Sequence, residues 1–138
     1  MTQVREVMTS APVVVGTLTG VNEAAQRMRD EDIGALLVVE GSTLRGLVTD
    51  RDLVVRVLAE GLEPGRTTVS EVCSPELVTV APGDDAGRAV QLMREHTLRR
   101  LPVMESGEAV GVVSLGDLAM ELDPESALSE ISAAEATV

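Results

Sequence analysis

The chain contains no Phe, Tyr or Trp among its 138 residues. Its core must be assembled from Val, Leu, Ile, Ala and Met, and no bound base can stack on an aromatic side chain. A single cysteine, Cys73, excludes an intramolecular disulfide. With only one histidine, His96, the chain lacks the ligands for a zinc site of the usual Cys/His kind. Nothing around Cys73 or His96 marks a nucleophilic pair. Cations are scarce: 11 Lys and Arg stand against 23 Asp and Glu, for a formal net charge of −12. Nucleic acid is excluded as a partner, because phosphate binding needs clustered cations. An anionic membrane surface is repelled as well. The apolar runs, such as Ala35–Val39, are too short to span a bilayer. The opening Met1-Thr2-Gln3-Val4-Arg5-Glu6 lacks a signal-peptide pattern, so the cytoplasm is the expected compartment.

What the chain does have is an internal repeat. A shift of 65 positions carries Val4-Arg5-Glu6-Val7 onto Val69-Ser70-Glu71-Val72. The same shift pairs Val13 and Val15 with Val78 and Val80, and Ala24, Gln26, Met28 and Arg29 with Ala89, Gln91, Met93 and Arg94. Leu36, Val38 and Glu40 fall on Leu101, Val103 and Glu105, and Gly46, Val48, Asp52 and Leu53 on Gly111, Val113, Asp117 and Leu118. No gap is needed. The division this predicts is a first repeat over 1–60, a linker over 61–68 rich in Gly and Pro, a second repeat over 69–122, and an acidic tail over 123–138.

Each copy predicts the same elements. A strand near Pro12–Val15 (Leu77–Val80) precedes an N-cap at Thr19 (Asp84). The helix that follows buries Val21, Ala24, Ala25 and Met28, or Ala86, Ala89, Val90 and Met93. A hairpin comes next, Leu36–Glu40 with Leu44–Val48, matched by Leu101–Glu105 with Val110–Val113. A second helix closes each copy, near Arg51–Ala59 and Gly116–Leu122. The fold class is therefore α/β (α+β), β-α-β-β-α twice. A repeat of about 60 residues buries too little surface alone, so the two are expected to pack with pseudo-two-fold symmetry and leave a cleft on either side.

The chemistry concentrates in Gly46-Leu47-Val48-Thr49-Asp50-Arg51-Asp52 and its echo Gly111-Val112-Val113-Ser114-Leu115-Gly116-Asp117. Thr49 and Ser114 stand where a strand turns into a helix, and Asp52 and Asp117 fall in the first helical turn. A carboxylate there can accept from two adjacent ribose hydroxyls, while the hydroxyl residue and the helix N–H groups face a phosphate. The same spacing is also a capping box, which needs no ligand. The pattern alone leaves both readings open.

This duplicated unit, with its Gly-apolar-apolar-Thr/Ser-x-x-Asp motif, resembles a tandem pair of CBS domains (a Bateman module) over Val4 to Leu122. Val7-Met8-Thr9 and Arg99-Arg100-Leu101-Pro102-Val103 resemble the family as well. Ile33-Gly34-Ala35-Leu36 and Thr49-Asp50-Arg51-Asp52-Leu53 are similar to the small stand-alone actinobacterial members, including hypoxic response proteins. The resemblance implies a regulatory module binding an adenosine nucleotide (AMP, ADP or ATP) or S-adenosylmethionine between the repeats, and acting on a protein partner in trans. It implies ribose contacts from Asp52 and Asp117, contacts from Thr49 and Ser114, and phosphate contacts from Arg99 and Arg100. A homodimer is expected, with Ala24, Ala25, Ala89, Val90, Val54, Val57 and Leu58 as interface candidates. The alternative is a ligand-free structural or stress-response dimer. No catalytic role, metal or obligatory cofactor is expected, since neither a P-loop nor a Rossmann fingerprint is present.

Some residues have plainer readings. Met28 and Met93 read as core, and His96 as a solvent-facing residue complementing a helix dipole. Cys73, aligned with Met8, reads as a small apolar residue, with a reactive or intermolecular thiol as the alternative. Asp50 has no acidic counterpart at Leu115 and reads as a solvated or capping group rather than a Mg²⁺ ligand. Asp123-Pro124 reads as a helix start, giving the tail a short helix or a disordered end.

Overall fold

The computed structural model of the chain describes residues 2–75 and 77–122; the expected tail helix lies outside them. Two compact units are present. The first is Pro12–Leu77, and the second joins residues 2–11 to the chain from Val78.

The elements of the two repeats follow one another in the same order. A 3₁₀ turn, Val4–Glu6, leads into β1 (Thr9–Ser10). Strand β2 (Val14–Gly16) precedes α1 (Val21–Glu31), and β3 (Ala35–Glu40) turns into β4 (Thr43–Thr49). Helix α2 (Asp50–Leu53) runs on as a π-helical stretch over Val54–Leu58. After a 3₁₀ turn at Pro64–Arg66 come α3 (Val69–Val72) and α4 (Ala86–His96). Strands β5 (Arg100–Glu105) and β6 (Glu108–Ser114) then lead to α5 (Leu115–Leu122).

The first unit holds a sheet β2-β3-β4, with β2 parallel and β4 antiparallel to β3. The second holds β1-β6-β5, all antiparallel. Isolated bridges complete the correspondence: Ser74 with Leu47 mirrors Thr9 with Val112, and Val80 with Val103 mirrors Val15 with Val38. Both hairpins shift register at equivalent points, Val38/Val39 and Val103/Met104. In the second hairpin Ser106 and Gly107 have φ values of 53° and 80°, the left-handed pair that a tight turn between twisted strands requires.

The units are not coextensive with the repeats, because the opening segments are exchanged. The leader of the first repeat, with Val4 wholly buried, packs in the core of the second unit beside Val80, Ala86, Ala89 and Leu101. The leader of the second repeat, α3, places Val69 and Val72 among Val15, Val21, Ala24 and Leu36 of the first. A fully buried valine contributes about 1.5–3 kcal/mol relative to exposure, so each leader is firmly seated.

The exchange also explains where the helix starts differ from expectation. Helix α1 is capped at Gly20, not Thr19, and no side chain caps it. The Val21 N–H donates instead to the Thr67 carbonyl, and Ala86 N–H donates to the Thr2 carbonyl. The arriving leaders thus satisfy orphan N–H groups that a side-chain cap would otherwise take. In α4 the N-cap is Asp85, whose side chain accepts from Gly87 N–H. Asp84 accepts from Ala81 N–H in the turn before it. Val21, Ala24 and Met28 are buried as the period requires, but Ala25 is exposed. In α4 Leu92 joins Ala86, Ala89 and Met93, while Val90 is half-buried.

Candidate ligand-binding site

The last strand of each repeat delivers its hydroxyl residue to the mouth of a helix. Thr49 ends β4 opposite Ala35, and Ser114 ends β6 opposite Arg100. In both, the hydroxyl and the carboxylate three residues on close a reciprocal ring. Asp52 N–H donates to Thr49 Oγ1 at 3.1 Å, and Thr49 N–H donates to Asp52 Oδ2 at 2.8 Å. Asp117 N–H donates to Ser114 Oγ at 3.1 Å, and Ser114 N–H donates to Asp117 Oδ2 at 3.0 Å. The structure therefore realises the capping box in both copies. That does not exhaust the carboxylates. An ionised carboxyl has about four acceptor positions, and the cap takes one of them.

Around Asp52 the helix start is otherwise occupied. Asp50 N–H donates to Gly34 O, and Arg51 N–H to Asp50 Oδ1. Asp50 is thus a cap on its own helix. Its counterpart Leu115 offers no acceptor, although its N–H repeats the strand-end bond, donating to Arg99 O at 2.8 Å. The Asp52 side chain is 16% exposed and lies 3.7 Å from Arg56 Nε.

The arginines of the second repeat fall beside Ser114. Directly opposed residues of an antiparallel pair share a face, with Cβ atoms about 4.5–5.5 Å apart, so Arg100 stands over the Ser114 end of β6. Arg100 is half-buried and Arg99 exposed. Within one unit, then, Ser114, Asp117, Arg99 and Arg100 are brought to one sheet end; in the other, Gly34 and Ala35 stand where those arginines are, and Arg56 is the cation beside Asp52. A cavity of about 200 Å³ in the second unit adjoins Asp117 and is otherwise lined by Glu6, Val7, Met120 and Glu121. It is smaller than the roughly 300 Å³ from which ligand pockets usually start.

Two residues gain a role that sequence reading missed. An added Cβ on Gly46 would lie 2.7 Å from both Cys73 Sγ and the Ser74 carbonyl. On Gly111 it would lie 2.7 Å from Met8 Sδ and 2.9 Å from Thr9 O. The motif glycines are therefore seats for the exchanged leaders. Recurrence of glycine at the same offset was the only signal of this in the sequence. Cys73 is half-buried, and burial pushes its thiol above the ordinary value. His96 is exposed in the last turn of α4.

The family model for the CBS domain matches residues 4–59 and again 69–124. The chain belongs to the CBS-domain family. It carries two CBS domains in tandem, and relatives of similar length share it almost end to end. CBS domain-containing protein YhcV of Bacillus subtilis is 41% identical over 133 residues, which is 96% of this chain and 94% of that one. Hypoxic response protein 1 of Mycobacterium tuberculosis is 36% identical over 129 residues, 93% of this chain and 90% of its own. The crystal structure of hypoxic response protein I with two coordinated zinc ions superposes with a TM-score of 0.77 at 35% identity, covering 86% of this chain and 97% of that one. Among the described residues of the present CBS pair, no three His, Cys, Asp or Glu side chains gather as metal ligands. The described helices include none long and apolar enough to cross a membrane.

Proposed function

We propose that this CBS pair is a regulatory module that binds an adenosine nucleotide or S-adenosylmethionine at its hydroxyl–carboxylate pairs and acts on a protein partner in trans, as a homodimer. The observation that carries the reading is the same Thr/Ser–Asp ring at both strand-to-helix junctions, with carboxylate acceptors to spare. Ribose hydroxyls donate to Asp52 or Asp117, and Arg99 and Arg100 supply charge for a phosphate near Ser114. The CBS domain pair of protein MJ0100, alike in fold with a TM-score of 0.78 at 20% identity, is described in complex with 5′-methylthioadenosine and S-adenosyl-L-methionine. Its ligands are of the adenosine class proposed here.

The test is a dye-reported thermal-shift panel with AMP, ADP, ATP and S-adenosylmethionine. A ligand held by the native state alone raises Tm by mass action. The ribonucleotide should raise it more than its 2′-deoxy analogue. Equal shifts would remove the ribose contact, and no shift with any ligand would leave the ligand-free dimer.

A further inference from the structure

Positions 56 and 121 are equivalent in the repeat, yet one holds Arg and the other Glu. Arg56 reaches in two directions. Its Nε lies 3.7 Å from Asp52 Oδ1, and its Nη1 donates to the carbonyls of Val72 and Cys73 at 3.2 and 3.4 Å. Those carbonyls end the exchanged leader. The next residue, Ser74, donates its N–H to Leu47 O on β4 at 3.0 Å. One guanidinium thus joins the candidate ribose carboxylate to the leader, a task suited to a planar fork of donors rather than to an ammonium point charge.

The second repeat cannot repeat this. Glu121 has no donor for the carbonyls of Val7 and Met8; it instead accepts a long bond from Thr2 Oγ1, at 3.4 Å, at the start of that leader. Where Arg56 would stand, the second unit has the small cavity bounded by Glu6, Val7, Asp117 and Glu121. A further difference accompanies the first. The segment that carries Arg56 is π-helical, with Ala59 N–H bonded to Val54 O, whereas α5 is α-helical from Leu115 to Leu122. Such wide turns recur at functional sites.

We propose that Arg56 is a positioning residue that transmits the state of the Asp52 carboxylate to the leader Thr68–Ser74, so that the Asp52 end and not the Asp117 end reports occupation. This rests on the function proposed above. Ribose hydroxyls donating to Asp52 spread its charge over new donors and weaken its hold on Arg56. The guanidinium is then less well ordered against the two carbonyls, and the leader opens from β4 more often.

Amide hydrogen exchange of the full chain at Ser74 tests this, since that N–H is freed only when the leader leaves β4. Arg56→Ala should speed Ser74 exchange by about fivefold, the scale expected for losing one ordinary net hydrogen bond. Arg56→Lys should speed it less, and Glu121→Ala should leave Thr9 and Ser10 unchanged. Asp52→Asn should speed Ser74 in the wild-type background and add nothing once Arg56 is Ala. Saturating AMP should speed Ser74 while slowing the core strands, and only when Arg56 is present. Unchanged Ser74 exchange in Arg56→Ala, or additive effects of the Asp52 and Arg56 changes, overturns the proposal. If AMP gives no thermal shift, the nucleotide reading fails, while the Asp52 and Arg56 variants still decide the coupling.

Discussion

Cys73 Sγ occupies the space beside Gly46 so closely that a Cβ there would lie only 2.7 Å away, although the two residues belong to different repeats. Met8 and Gly111 stand in the same relation. Gly46→Ala is therefore expected to destabilise by about 1–3 kcal/mol, as overpacking does, with a fall in Tm of several degrees by circular dichroism. Cys73→Ala should rescue it only in part, because the Ser74 carbonyl is also 2.7 Å away and backbone cannot swing aside. Full rescue would mean the sulfur alone sets the limit.

The capping rings separate stability from binding. Thr49→Ala removes the acceptor for Asp52 N–H and should cost about 1 kcal/mol without any ligand. Denaturant unfolding would measure it. Asp52→Asn keeps an acceptor oxygen for Thr49 N–H, so it should cost less stability than Thr49→Ala while removing any preference for ribose over deoxyribose. The reverse ranking would make Asp52 a cap and nothing more.

Because Arg100 stands opposite Ser114, cations stand at the strand end of the second unit, where the first has Gly34 and Ala35. Calorimetry should find one tight nucleotide event per chain, with the Asp52 end filled only at much higher concentration. Changing Arg99 and Arg100 to Ala should weaken it at least tenfold, about 1.4 kcal/mol. Asp117→Ala should damage it more than Asp52→Ala. Two matched sites insensitive to the arginines would refute the asymmetry.

The expected dimer face needs correction. Ala24, Ala89 and Val57 are buried within their own units and cannot face a partner. Val54, Leu58 and Leu62 are 55%, 66% and 43% exposed at four-residue steps. Light scattering at tens of micromolar, the range of weak interfaces, should show a dimer that Leu58→Asp dissociates. A wild-type chain of 14.5 kDa in solution would rule the dimer out.

The Cys73 thiol is raised chiefly by burial, with Asp52 adding to the rise and Arg56 opposing it. The folded state thus holds this proton more tightly than the unfolded chain. Its contribution is complete below the unfolded thiol value, about 8.5, and is lost as pH rises through the folded one. Melts from neutral to alkaline pH should fall more steeply for the wild type than for Cys73→Ala. Parallel curves would show that the thiol does not differ between the two states.

Much was legible in the chain itself. Helical and strand periods depend on local side-chain spacing, so Val21, Ala24 and Met28, and the two hairpins, were readable from pattern, as was the Thr/Ser–Asp spacing at one fixed offset. Val4-Arg5-Glu6-Val7 and Val69-Ser70-Glu71-Val72 were visibly alike, and that likeness is why their destinations were not readable. Two leaders with the same apolar pattern carry no local signal of which core each will join. Only the path of the chain in three dimensions sends each to the other repeat's core. From that exchange come the carbonyl caps on α1 and α4, the need for Gly46 and Gly111, and the meeting of Arg56 with Val72 and Cys73. These contacts join residues about 16 to 103 positions apart, beyond the reach of any local period, and tertiary packing alone determines them.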